Sequence, residues 1–302
     1  MMKTTLQALR NRIGRDGVLL IVLSTFIWAL MESLAGLMVT QGNSHDLLFQ
    51  TVWVRYGTHL VFMTLVFIPR QSQRLLQTTR FRLQLLRPLT MIGMPLCFIL
   101  GTGKLSATNV FTVFWLIPIL TLGLAAILLR ERVPGHYWMT VLVSFIGILF
   151  IFHPNRQILS GYALLPLISA LCFSLYLVMT RMLQEEWTPT SLFYSALVVF
   201  VPWSFALPSF WQPLGWLNLL IMATIGLLGY VTLYCLDKAC ESTSISKLAF
   251  FLYTQPIFQI ALHALLFHSY PGAGALLGCL VLLITGTYFL ILDNRRIPGP
   301  SL

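Results

Sequence analysis

The sequence is short of charge. Only 9% of its 302 residues are Asp, Glu, Lys or Arg, and Asp and Glu together number 9. A soluble domain carries about 25%, so there is too little here to clothe a water-facing surface. Cysteine is scarce as well. Cys97, Cys172, Cys235, Cys240 and Cys279 lie in or beside apolar stretches and none makes a CxxC pair, which argues against a disulfide framework or a zinc site. HExxH, GxSxG and P-loop patterns are absent, and hydrolase and ATPase readings go with them; no enzyme is expected. Gly272, Gly274 and Gly278 imitate a glycine-rich loop. They open an apolar run with no strand before it, so a dinucleotide site is not expected there.

Hydrophobic residues, at 57%, fill long runs from Val18 to Leu292. The runs do not alternate, which excludes barrel strands. Read as membrane helices, they give ten spans, near 18–40, 47–68, 87–103, 108–129, 135–152, 160–182, 190–208, 214–236, 245–267 and 271–292. With the N-terminus inside, all 19 Lys and Arg except Arg55, Lys104 and Arg156 fall on the cytoplasmic side. The longest loop, Arg70 to Arg87, belongs to that side. This is the positive-inside pattern, so the net charge of +10 encodes orientation and no nucleic-acid partner is expected. Residues 1–17 form a basic cytoplasmic arm whose Arg10, Arg12 and Arg15 would meet lipid headgroups. The run after it is too long for a signal peptide and reads as an uncleaved first span.

A helical hairpin, Ser106 to Pro154, recurs 138 positions later: Ser106 answers to Ser244 and Pro118 to Pro256. From Gly161, GYALLPLISALCFSLYLVMTR echoes span 1 at an offset of 144, so that Trp28 answers to Cys172 and Glu32 to Tyr176. The organisation is then an arm (1–17), a five-span repeat (18–153), a second (158–292) and a cytoplasmic tail (293–302). Five is odd, so the two repeats insert with opposite orientation. Span 3 is expected to be short and broken by Pro95, Gly101 and Gly103, with Gly226 and Gly229 in its counterpart, span 8. Paired irregular spans point to a transport site. Pro118 and Pro256 each remove a helix hydrogen bond and should bend spans 4 and 9.

Two formal charges are expected well inside the hydrocarbon, Glu32 in span 1 and Arg55 in span 2. Each costs about 2.5–3.5 kcal/mol at a helix centre. They lie at similar depth on adjacent antiparallel spans. The pair reads equally as a structural ion pair and as a ligand or proton site. Polar stripes extend it: Ser24, Trp28, Glu32 and Gly36 on span 1; Thr51, Arg55, His59 and Met63 on span 2; Gln255, Gln259 and His263 on span 9; Tyr230 and Tyr234 on span 8. One such stripe is interhelical glue; several, drawn from both halves, favour a central cavity. His59 and His263 read either as packing residues or as proton relays with Glu32. Trp138, Trp187, Trp211 and Trp216 fall at span ends, where aromatic belts sit, whereas Trp28 and Trp115 are mid-span. Tyr176 and Tyr253 complete the aromatic candidates.

The run SATNVFTVFWLIPILTLGLAAILLRERV, with Pro118 inside it and Arg130-Glu131-Arg132 at its end, resembles the drug/metabolite transporter superfamily, EamA-type branch. Trp28 and Arg55 match the tryptophan and arginine common in that branch's first and second helices. The resemblance implies an all-α protein of the bacterial inner membrane: ten helices in two inverted five-helix repeats, both termini cytoplasmic, and alternating access around a central cavity. The family's acidic residue after helix nine is missing, since Phe267-His268-Ser269 stand there. Glu131 itself is expected to be a structural ion-pair member. The expected function is a secondary carrier for a small polar metabolite, zwitterionic with an apolar or aromatic part: an amino acid or a derivative such as S-adenosylmethionine. Arg55 would take a carboxylate, Glu32 an ammonium or a coupling proton, and Trp28 a stacking or cation–π role. No resident cofactor is expected. Export of cationic drugs on Glu32 alone is the rival carrier reading, and a non-transporting receptor or assembly subunit is the rival of another class.

Overall fold

A computed structural model describes residues 2–39, 44–209 and 211–295. The basic side chains expected at Arg10, Arg12 and Arg15, the loop positions 41–43 and the tail from 296 onward lie outside the described residues. Regular structure is helical throughout what is described. Helices α1 (Met2–Val39), α2 (Ser44–Leu76) and α3 (Phe81–Thr102) are followed by a span built of two helices, α4 (Ala107–Phe114) and α5 (Ile117–Leu128). Next come α6 (Gly135–Phe152), α7 (Leu164–Met182), α8 (Thr188–Ala206) and α9 (Trp216–Ser242). A second divided span, α10 (Ile245–Phe251) with α11 (Thr254–Phe267), precedes α12 (Ala273–Arg295). These make ten spans long and apolar enough to cross a bilayer. Leu65, Ile127 and Leu265 on the outer surface are 70%, 73% and 73% exposed. Such a belt of bare leucine and isoleucine suits acyl chains, not water. The chain is a multi-pass membrane protein.

Packing repeats under exchange of the halves. Helix α1 lies against α9, and its counterpart α7 against α3; α11 lies against α1, and α5 against α7; α2 meets α8, and α6 meets α12. The α6–α12 crossing is close because it is made at glycines. A Cβ on Gly147 would stand 3.0 Å from the Gly278 carbonyl, one on Gly278 would strike the Gly147 carbonyl, and Ser144 and Thr285 join hydroxyls there at 2.8 Å. Of the glycines that imitate a nucleotide loop, Gly274 and Gly278 therefore serve close packing on α6 and its end, while a Cβ on Gly272 would meet nothing within 4 Å.

Two expectations about irregular spans change. Span 3 is neither short nor broken: α3 starts at Phe81 and runs through Pro88 and Pro95. Helix α2 in turn continues past Pro69 to Leu76, interrupted only at Gln71. The arginine-rich loop shrinks to residues 77–80, and α9 is likewise continuous. The irregular pair is spans 4 and 9. After Phe114 and after Phe251 the chain tightens for one turn, with Leu116 N–H on the Val113 carbonyl and Tyr253 N–H on the Phe250 carbonyl, both at 3.1 Å. A new helix then begins. Pro118 and Pro256 sit in its first turn, where a missing N–H costs nothing. They begin α5 and α11; they do not bend a continuous helix.

Ten crossings place both termini at one end of the bundle, here the termini end, with the far end opposite.

Candidate functional site

Two cavities open toward the far end, one on each side of Glu32. The first, ≈ 380 Å³, lies among α1, α2, α3 and α4, with Trp28, Met31, Glu32, Thr51, Arg55, Met94, Phe98 and Phe114 in its walls. The second, ≈ 430 Å³, lies among α1, α4, α6 and α11, with Glu32, Trp115, Phe152, Gln255, Gln259, His263 and Tyr270 in its walls. Glu32, Gly36 and Phe111 border both. Each volume is in the range of small-molecule sites.

Helical spacing on α1 puts Trp28 one turn from Glu32, and the indole Nε1 donates to Glu32 Oε1 at 2.7 Å. Trp28 is itself held in an aromatic floor. Its ring lies 5.1 Å from Phe173, 6.1 Å from Trp115 and 6.2 Å from Phe114. Arg55 reaches the same cavity by crossing α9 at its glycines. A Cβ on Gly229 would stand 2.6 Å from Arg55 Nε, and one on Gly226 would stand 3.0 Å from the Arg55 carbonyl. The guanidinium lies 5.5 Å from the Tyr56 ring. It belongs to none of the four ion pairs among the described residues, and no hydrogen bond to it is found there. The direct Glu32–Arg55 ion pair that the sequence suggested does not form. Instead, a carboxylate held by the Trp28 indole and a guanidinium with no ion pair among the described residues face a common space.

The remaining expected site residues divide. Trp115, Gln255, Gln259 and His263 line the second cavity with Glu32. Gln255 Nε2 points to Gln259 Oε1 at 3.5 Å, and Gln259 Nε2 to Ser33 Oγ at 3.4 Å. Tyr230 and Tyr234 pack together between α2 and α9, 6.1 Å apart, with Tyr230 against Phe62 at 4.9 Å and His59 at 5.0 Å. None of these three lines either cavity, and His59, 1% exposed, is not brought to Glu32. Tyr253 is buried behind Trp115, on the side facing α12. Tyr176 also leaves the cavity wall; it belongs to a second polar layer.

That layer is what sequence reasoning missed. Past Trp28 and Arg55 the first cavity narrows to a void of ≈ 40 Å³ bordered by Met91, Leu233 and Leu236. One turn further lie Arg87 and Asp237, with side chains 0% and 3% exposed and Arg87 Nη1 to Asp237 Oδ2 at 2.8 Å. Arg87 also donates to Thr180 Oγ1 at 3.0 Å, to the Ser191 carbonyl at 2.8 Å and to Ser195 Oγ at 2.8 Å. Tyr176 donates to Asp237 Oδ1 at 3.1 Å, and the guanidinium lies 4.8 Å from its ring. Arg87 was read as the edge of a loop; it is core, tying α3, α7, α8 and α9 together. The available signal was the apolar residues that flank it, Leu85 and Leu86 before and Pro88 and Leu89 after, together with an aspartate one residue past the expected end of span 8.

More contacts close the termini end. Arg181 donates to the Cys240 and Glu241 carbonyls at 2.6 and 2.9 Å, and Thr188 to Glu241 Oε1 at 2.5 Å. Glu131 accepts from the N–H groups of Ile245 and Ser246 at 3.2 and 3.0 Å, and from the Ser246 hydroxyl. Among the described residues Glu131 enters no ion pair; it caps the N-terminus of α10 from the other repeat.

The EamA-like transporter family matches residues 15–153 and again residues 159–292. An S-adenosylmethionine uptake transporter of Rickettsia bellii is 23% identical over 249 residues, 82% of this chain and 85% of that protein. A riboflavin transporter of Brucella anthropi is 28% identical over 145 residues, 48% of this chain and 51% of that protein. A solved crystal structure superposes with a TM-score of 0.74 at 16% identity, covering 96% of this chain and 99% of the other; at that identity the likeness is one of fold.

Proposed function

The chain belongs to the EamA-like transporter family, and from that premise we propose that it carries a zwitterionic metabolite with an aromatic part. An amino acid or an amino-acid–nucleoside of the S-adenosylmethionine kind fits. The observation that carries this reading is Arg55: a guanidinium with no ion pair or hydrogen bond among the described residues, facing the same cavity as a carboxylate and an aromatic floor. An unpaired cation at membrane depth is costly, and a ligand carboxylate would satisfy it. Glu32 would meet the ligand's cationic centre and would be the group to take up a coupling proton. Rickettsial relatives named for S-adenosylmethionine uptake support the choice of ligand class.

Transport proceeds by alternating access. The cavity described here is open at the far end and sealed at the termini end by the Arg87–Asp237 layer, which must part when the cavity turns over. The protein lies in a bacterial inner membrane with its termini in the cytoplasm, so the far end faces out. Counterflow of labelled S-adenosylmethionine into proteoliposomes tests the reading. Glu32→Gln and Arg55→Ala are expected to abolish exchange while leaving the folded protein monodisperse. Exchange at the wild-type rate in both would refute it, and inhibition by quaternary cations but not by zwitterions would favour a cationic-drug exporter.

A further inference from the structure

The cavity is divided, and its two parts differ in chemistry. On the α2–α3 side the polar anchor is Arg55, among the thioethers of Met31 and Met94. On the α11 side the polar groups include the amides of Gln255 and Gln259, with His263, Ser269 and the ring of Tyr270 in the same wall. Glu32 borders both. A cation among soft apolar atoms binds a carboxylate on an aliphatic or thioether stem. Amides beside aromatic rings offer both donors and acceptors to the edge of a heterocycle while its faces stack. Neither part alone offers both chemistries.

We propose that the two parts hold the two ends of one ligand: the amino-acid end with its carboxylate on Arg55, the planar nitrogen heterocycle against Gln259 and Tyr270, and the cationic centre between them at Glu32. This assignment rests on the substrate reading above and adds to it which residues read which end. Gln259 becomes a specificity residue for the base; Arg55 has no part in that choice.

Binding to the purified full chain in nanodiscs tests it, with S-adenosylmethionine, its decarboxylated analogue and the analogue carrying hypoxanthine for adenine, on wild type, Arg55→Ala and Gln259→Leu. Loss of the carboxylate is expected to weaken binding about tenfold or more in wild type and Gln259→Leu, but less than about twofold in Arg55→Ala. The change of base is expected to matter in wild type and Arg55→Ala, but not in Gln259→Leu. If both variants blunt both discriminations alike, or neither does, the two-ended assignment is overturned and the substrate reading survives. If S-adenosylmethionine does not bind wild type at all, the substrate reading fails first and takes the assignment with it.

Discussion

At the termini end Lys247, early in α10, meets Asp293, late in α12, at 2.6 Å. At the far end the positions 138 residues earlier are Asn109, early in α4, and Asn155, just after α6, and their side-chain amides meet at 2.7 Å. The same correspondence pairs Arg130, after α5, with His268, after α11, and both adopt a left-handed backbone, φ 53 and 51. It then pairs Glu131 with Ser269. Glu131 caps α10, whereas the equivalent helix, α4, follows Ser106, whose side chain makes no capping hydrogen bond, and Ser269 lines the open cavity. All four ion pairs among the described residues lie at the termini end. Backbone geometry is thus repeated and charge is not. The end clamped by charge is the closed one; the end joined by neutral amides is the open one.

The largest test of this contrast is the Arg87–Asp237 layer. Asp237→Ala, or Arg87→Ala, is expected to lower unfolding stability by about 3–5 kcal/mol, because a buried charge is left alone. The double replacement Arg87→Met with Asp237→Leu should cost clearly less than either. Denaturant titration in detergent reads all three, and a double variant as unstable as the sum of the singles would show that the layer is not a coupled pair.

A smaller effect follows from the capping contrast. Glu131→Ala should weaken closure of the termini end, and Ser269→Glu should supply the far end with the cap it lacks. A helix cap contributes about 1 kcal/mol and a charge at a helix N-terminus about 0.3–1 kcal/mol. Each change should therefore move the balance of the two facings by roughly 5–30-fold, and in the same sense, toward the facing closed at the far end, so both should lower labelling of a single cysteine placed at Ile151. Equal labelling in both variants and wild type would mean that the caps do not set the facing.

The smallest effect is at the loop surface. Burial pushes the Glu186 carboxyl up, but hydrogen bonds from the Thr79 hydroxyl at 2.6 Å and amide at 2.9 Å, joined by Thr78 and Arg80, outweigh it and hold the group below its ordinary value. A carboxylate lowered by folding stabilises the protein above its unfolded value and loses that contribution as pH falls through the folded one. Glu186→Gln should therefore melt slightly lower than wild type at neutral pH, and the gap should close in acid. A gap that widens in acid would reverse the assignment.

Much of the fold was legible because bilayer constraints act locally. Spans must be long and apolar. Five spans in each half force the inversion. On α1 the site was legible too, since a four-residue spacing alone brings Trp28 to Glu32. Across helices the reading weakened. Arg55 shares a wall with Glu32 yet does not pair with it, because Gly226 and Gly229 of α9 set where its stem lies.

The sequence by itself determined ten crossings, their mirrored halves and the Trp28–Glu32 stripe, since each follows from hydropathy and helical period within one segment. Only the tertiary structure decided that Arg87 is core, that Tyr176 serves the seal, and which end of the bundle is open. Those outcomes depend on partners such as Asp237, 150 positions from Arg87. A buried charge is tolerated only where distant helices bring its counter-charge and hydrogen bonds to one point, and no local pattern records that meeting.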